Sequence, residues 1–342
     1  MKQHVRGHWF SAQGHERMFR SLVRNGFRVR WQLGPRDHGG RMYDPNYLED
    51  GTKVVWRMND RYFDPDVDLS GEVTNLVMDD LGKSAVWRRH SNQDMLRWMR
   101  YWLKGEENGI MEEAPVRFIA ASCYPGDQTD PVTGYESFQI NQYPGDVIQN
   151  QKVFLAKGGR ISRRSPGPAS AVLQNRVDSA SPEDPLWVPD GQGTVRRELV
   201  FDTATLSTDR VLMGTPTARL FVTPNATEFA MTISVYDVEF DQDGKETNAD
   251  LITRGPAFRY VKTVDEVMQV DVELDFRVHR FRKGHIMRVV ISNLDHLIPQ
   301  LGAFNFWSAP SFVPSDNIIH MGGEYALSIL LPAYREVATT GQ

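Results

Sequence analysis

Apolar residues recur at helical spacing in parts of the first third of the chain and at every second position through much of the rest, and this change divides the 342 residues in two. Phe19, Leu22 and Val23 share one side of a helix predicted over Glu16 to Asn25, which Gly26 stops. Phe27, Val29, Trp31 and Leu33 then alternate as a half-buried strand does. A turn-rich stretch follows from Leu33 to Arg41, and a polar, aromatic-bearing segment between Met42 and His90 reads as a long loop or insertion. From Ser91 to Lys104 the helical spacing returns: Met95, Trp98, Met99, Trp102 and Leu103 make one apolar face, with Ser91 able to cap the start and Gly105 at the end. Pro115 to Ala121 reads as a buried strand, and a helix leading into a strand in this way suits the last layer of an α/β sheet.

After about Asp127 helical spacing nearly vanishes, and short strands alternate with Pro, Gly and Asp turns. The clearest is Met268 to Phe281, where Met268, Val270, Val272, Leu274, Phe276 and Val278 are expected inside and Gln269, Asp271, Glu273, Asp275, Arg277 and His279 outside. Glu198 to Phe201, Ala218 to Thr223, Phe229 to Phe240 with its Asp241-Gln242-Asp243-Gly244 turn, His285 to Ser292 and Tyr325 to Leu331 add further strands. Gly158 to Pro168 looks disordered. The fold class is therefore α/β plus all-β, with a partial α/β domain over residues 1–128 and an antiparallel β-sandwich over 129–342.

Composition narrows the function classes. A formal net charge of -5 supplies no basic field for phosphate backbones, so no nucleic-acid partner is expected. Cys123 is the single cysteine, which excludes an internal disulfide framework and a cysteine zinc cluster. No apolar run reaches membrane-spanning length, so no membrane partner is expected. The chain begins Met1-Lys2-Gln3-His4-Val5 without a charged-then-apolar export segment; a cytoplasmic location is expected, although a start that reads as a domain interior leaves export open.

The candidate chemistry centres on His38, which follows the strand ending at Leu33 and sits among Gly34, Gly39 and Gly40. A glycine-rich turn after a strand is a common way to present a catalytic imidazole; the competing view makes it a loop histidine satisfied by nearby backbone. Asp37 beside it reads as a turn residue. His285 opens a strand and reads as structural, and His4, His8 and His15 lack the Cys or carboxylate partners of a closed metal site, so neither metal nor cofactor is expected. Gly82-Lys83-Ser84 lacks the first glycine of a phosphate loop, where Val77 stands. Asp64, Asp66 and Asp68 lack a calcium loop's glycine and bidentate glutamate, with Leu69 and Asn75 in those places. Trp98, Trp102 and Phe118 are expected to pack a core, while Trp56, Tyr62, Phe63 and Trp87 either line a pocket or anchor the long segment.

Several of these features fall in an order that resembles the Xaa-Pro dipeptidyl-peptidase and cocaine-esterase-like family of serine hydrolases, which includes α-amino-acid ester hydrolases. Gly34-Pro35-Arg36-Asp37-His38 is similar to that family's histidine loop, and Trp98 to Gly105 to its W-x-x-x-W-L-K-G helix end. Pro115 to Phe118 matches a PVRF strand, and Gly214-Thr215-Pro216 and Phe281-Arg282-Lys283-Gly284-His285 match the G-x-P and F-x-K-G-H motifs of its C-terminal jelly roll. The resemblance implies the C-terminal fragment of an α/β-hydrolase domain followed by a jelly-roll-like β-sandwich, with His38 as the catalytic base that hydrolyses peptide (Xaa-Pro), amide or ester substrates. The G-x-S-x-G nucleophile elbow is absent, since Gly82-Lys83-Ser84 is followed by Val86 where glycine belongs, and Gly7 to Ser11 offers no triad acid. The implied partner is an N-terminal hydrolase segment carrying Ser and Asp, and the chain alone is expected to be inactive. The alternative is a non-catalytic sandwich that serves binding or homo-oligomerisation, with His38 vestigial.

Overall fold

A computed structural model describes residues 12–33, 94–119, 137–175, 197–293, 311 and 313–335, and these fall into two compact units, Gly7–Val147 and Ile148–Gln342. The expected boundary at 128/129 lies outside the described residues.

The first unit contains helix α1 (Ala12–Arg24), a helical segment α2 over 94–104, and a three-stranded sheet of β1 (Trp31–Leu33), β2 (Val116–Ile119) and β3 (Ser137–Ile140). β1 runs parallel to β2, Trp31 opposite Val116, and β3 closes antiparallel on β2. A parallel pair needs a long crossover, and α2 lies within the one used here. α1 ends as the sequence requires: Phe27 N–H donates to Leu22 O and Gly26 N–H to Val23 O, both at 3.0 Å, with Gly26 at φ 79°. That pair of bonds satisfies the last carbonyls and needs the left-handed conformation glycine adopts freely.

Two expectations are corrected here. The strand does not begin at Phe27, which is 61% exposed just past the helix cap; only Trp31 to Leu33 pair in the sheet. The α2 face is not core either: Met95, Met99, Trp102 and Leu103 are 49–78% exposed and Trp98 half-buried, while Phe118 is fully buried as expected.

The second unit is almost wholly β. It comprises β4 (Ile148–Ala156), β5 (Arg160–Ser162), β6 (Ala169–Asn175), β7 (Glu198–Asp202), β8 (Arg210–Gly214), β9 (Thr217–Pro224) and β10 (Glu228–Phe240). β11 (Glu246–Tyr260), β12 (Met268–Glu273), β13 (Arg277–Phe281), β14 (Ile286–Ser292), β15 (Ser315–Met321) and β16 (Ser328–Tyr334) complete it. The hydrogen-bonded order is β11-β10-β14-β7-β5-β4-β16-β9-β15-β6, with β12 on β9 and β8 joining β13 to β16. Among the described residues this unit's pairings are antiparallel except the β5–β7 bridge.

This network folds over one apolar core. Ile233, Val235, Val289 and Ile291 on β10 and β14 share it with Leu220, Val222, Val270, Val272, Ile319 and Ile329 on β9, β12, β15 and β16. β10 is buried on both faces, because Tyr236 and Val238 join Ala249, Leu251, Ile286 and Val290 in a second cluster. The expected turn after Phe240 is present, with Asp241 Oδ1 accepting from the N–H groups of Asp243 and Lys245.

Two further expectations fail. Gly158 to Pro168 is not structureless: it contains β5, and Gly323 N–H donates to Pro166 O at 3.1 Å. Met268 to Phe281 is not one strand with a wet face. It breaks between β12 and β13, and past the break Arg277 and His279 are buried.

Candidate functional site

β1 ends at Leu33, five residues before His38 in the chain, and the described residues show how that strand is held. Trp31 is buried, with its ring edge-on to Phe118 at 4.8 Å and to Tyr143 at 5.5 Å, and tilted against Phe19 at 5.4 Å. Such an aromatic box fixes orientation as well as burying area. Tyr143 closes it by donating its hydroxyl to Glu16 Oε1 at 3.0 Å. Burial, and then the Glu16 charge, push the Tyr143 phenol well above its ordinary range, so it remains a donor.

Polar bonds fasten α2 to the same strand. Gln32 donates to Asp94, and Arg30 donates to Ile110 O and Glu113. Arg97 donates to Glu113 at 2.6 Å and to Asn108 O at 3.0 Å, and Asn108 returns a bond to Arg97 O at 2.8 Å. The residues on either side of the crossover are thereby tied into one frame.

His38 and Asp37 lie outside the described residues. So do His4, His8, the segment with Asp64, Asp66 and Asp68, Trp56, Tyr62, Phe63 and Trp87, Gly82 to Ser84, and Cys123. His15 is exposed on α1. Among the described residues, no group of three or more His, Cys, Asp or Glu is placed to hold a metal.

The second unit contains a buried ionisable cluster that the sequence did not single out. Asp237 on β10 lies between two histidines: His279 Nε2 on β13 is 2.8 Å from Oδ2, and His285 Nδ1, in the turn before β14, is 2.9 Å from Oδ1. The Asp237 and His279 side chains are 1% and 2% exposed. Burial alone favours the protonated carboxyl, yet the bonds from His279 and His285 outweigh it and hold Asp237 below its ordinary range. His285 is raised, first by its bond to Asp237, with burial opposing. His279 Nδ1 is buried without a hydrogen-bond partner, and its ring stands edge-on to Phe281 at 4.7 Å. Among the described residues no hydroxyl or thiol is bonded to His279. The cluster acts as a polar pin joining β10, β13 and the start of β14. The overlooked signal was Asp237 itself, a carboxylate within the apolar run Val235 to Val238, where a charge survives only if partnered.

Residues 108–330 match the family described as the X-Pro dipeptidyl-peptidase C-terminal non-catalytic domain. The chain belongs to that family, and thereby to the Xaa-Pro dipeptidyl-peptidase and cocaine-esterase-like proteins its motifs resemble. The PVRF, G-x-P and F-x-K-G-H motifs fall inside the match, on β2, at the β8–β9 junction and at the β13–β14 turn; His38 and Trp98 to Gly105 precede it. Among solved structures, the fold is similar to an aminopeptidase from a marine-sediment Thaumarchaeota archaeon, with TM-score 0.60 and 15% identity over 96% of this chain and 54% of that one. It is also similar to a CocE/NonD family hydrolase from Staphylococcus aureus, with TM-score 0.55 and 15% identity over 73% of this chain and 47% of that one. The chain thus spans about half the length of these structures. No curated protein sequence matches it.

Proposed function

We propose that this chain is the C-terminal portion of a serine hydrolase that cleaves Xaa-Pro peptide, amide or ester bonds, with His38 as the general base. In this reading residues up to about 128 are the end of an α/β-hydrolase sheet and the rest a jelly-roll-like sandwich. The observation that carries it is the parallel β1–β2 pair spanning a crossover that contains α2, with β1 ending at Leu33, five residues before His38 in the chain. The 49–78% exposure of Met95, Met99, Trp102 and Leu103 supports a layer that packs against further hydrolase structure. A separate segment supplies the serine and the aspartate. His38 takes the serine proton as the hydroxyl attacks the carbonyl carbon, then returns it to the leaving group, and water repeats the cycle on the acyl-enzyme.

The purified chain is expected to hydrolyse neither Xaa-Pro anilides nor simple esters above background, because His38 has no nucleophile to activate. Stoichiometric labelling by a serine-directed phosphonate, abolished by replacing one serine, would overturn this. A second reading is favoured by the family description itself, which is of a non-catalytic domain: residues 108–330 bind or self-associate and His38 is vestigial. In that case restoring the Ser- and Asp-bearing segment gives no activity that depends on His38.

A further inference from the structure

The outer face of the second unit holds a cavity of about 670 Å³ where β11 crosses the edge of β12. Its floor follows from register. Glu273 faces Thr217, Thr217 faces Leu330 and Leu330 faces Lys152, so one cross-strand row spans β12, β9, β16 and β4. Directly opposed residues point to the same side of a sheet, and the neighbours Val272, Ala218, Ile329 and Val153 point into or against the core. The row therefore faces outward.

The wall is rigid. Gly255 on β11 lies so close to β12 that an added Cβ would stand 2.4 Å from Glu273 O, so only glycine permits the approach. Arg259 spans the same gap, donating from Nη2 to Asp271 O at 3.1 Å and from Nη1 to Phe258 O at 2.9 Å. Asp271 is committed elsewhere, to a two-pronged pair with Arg219 at 2.8 and 3.4 Å and to Gln269 at 2.7 Å. Arg259 keeps three of its five N–H groups and makes no ion pair among the described residues. On the opposite side the Lys152 ammonium lies over the Phe154 ring, 5.2 Å from its centroid. Lys152 and Arg259 thus flank an apolar floor at Leu330 and Pro256; Asp271, which Arg259 also attracts, is held by Arg219, and Glu273 stands at the far end of the row.

We propose that this cavity binds a small organic carboxylate, its oxygens on the guanidinium of Arg259, its apolar body on Leu330 and Pro256, and Lys152 reinforcing the attraction. A guanidinium already fixed by two carbonyls loses little freedom when it takes a carboxylate in a two-pronged contact. The site stands on the geometry of the second unit alone and does not depend on His38.

The full chain titrated calorimetrically with hippurate, its neutral amide and inorganic phosphate tests this. Hippurate is expected to bind, with the amide and phosphate weaker by about tenfold or more, since one lacks the charge and the other the apolar body. Arg259→Gln and Lys152→Met are each expected to weaken hippurate binding, the first by about tenfold or more. Lys152 is exposed, so Lys152→Met is expected to keep the thermal midpoint and serves even if Arg259→Gln perturbs folding. Absence of hippurate binding, equal binding of the amide or of phosphate, or unchanged binding in Lys152→Met would overturn the proposal.

Discussion

The two units handle apolar surface in opposite ways. In the second, Leu155, Phe229, Phe276 and Phe281 are fully buried, and the core draws on strands from the whole hydrogen-bonded network. In the first, Trp31, Phe118 and Ile110 are buried, yet Met18, Val23, Phe27, Met95, Leu96, Met99, Trp102 and Leu103 are 47–78% exposed. One unit closes its own core, and the other orders a single small layer around Trp31 by aromatic packing and the Arg30–Glu113–Arg97 bonds. The polar side of the contrast matches: the second unit buries an ionised cluster at Asp237, which only a well-closed interior can hold in place.

The largest expected effect comes from separating the units. Expressed alone, 148–342 should be soluble and melt cooperatively, whereas 7–147 should not fold stably, because among the described residues its three-stranded sheet leaves apolar surface and strand edges uncovered. A cooperative melt for the first piece beside an unfolded second would reverse the comparison. Within the intact chain, Phe229→Ala should cost about 3–5 kcal/mol by chemical denaturation, and Trp102→Ala should stay within about 0.5 kcal/mol. Similar losses for both would mean that Trp102 packs as tightly as Phe229.

The Asp237 pin should show in the pH dependence of stability. The His285 pKa is raised above 6.5 in the folded chain, so its contribution is complete below about 6.5 and is lost as pH rises through the folded value. Asp237 is lowered from 3.8, so its contribution is present above about 3.8 and is lost as pH falls through the folded value. Between those limits Asp237→Ala should cost about 3 kcal/mol, because two buried histidines lose their acceptor. Denaturation from acid to mildly alkaline pH checks this: the variant should lose part of the wild-type curvature, and an unchanged profile would remove Asp237 from the account.

Much of the sandwich was legible because β7, β9, β10, β14 and β16 place apolar residues where strands require them. The missed strands have physical causes. β15 buries Ser315, Asn317, Ile319 and Met321; its inward positions are partly polar, Asn317 Nδ2 donating to Ser315 Oγ at 2.9 Å while Asn317 Oδ1 is buried without a hydrogen-bond partner, so a search for alternating apolar residues fails there. β11 carries Gly255-Pro256, which reads as a turn; the strand continues because Pro256 sits exposed and Gly255 is needed for the approach to β12. Arg277 was placed outside because charges usually are, but its Nε donates to Ile252 O at 2.8 Å in the interior. Of the candidate site, motif order gave the family and the strand root, while Asp237, His279 and the Arg259 wall depend on contacts between residues far apart in the chain, which local pattern does not carry.

The central claim is that the chain contributes the base of a triad completed elsewhere, and it is tested by restoring the enzyme with a family segment that brings the serine and aspartate. Turnover and thermal midpoint are then measured for His38→Ala and His285→Ala. The account predicts that His38→Ala lowers turnover by about 10³-fold or more with substrate binding and midpoint nearly unchanged, since triad members act as a unit. His285→Ala should instead lower the midpoint more than the turnover, because its partner is the buried Asp237. Near-normal turnover in His38→Ala would contradict the account and place the base on another residue.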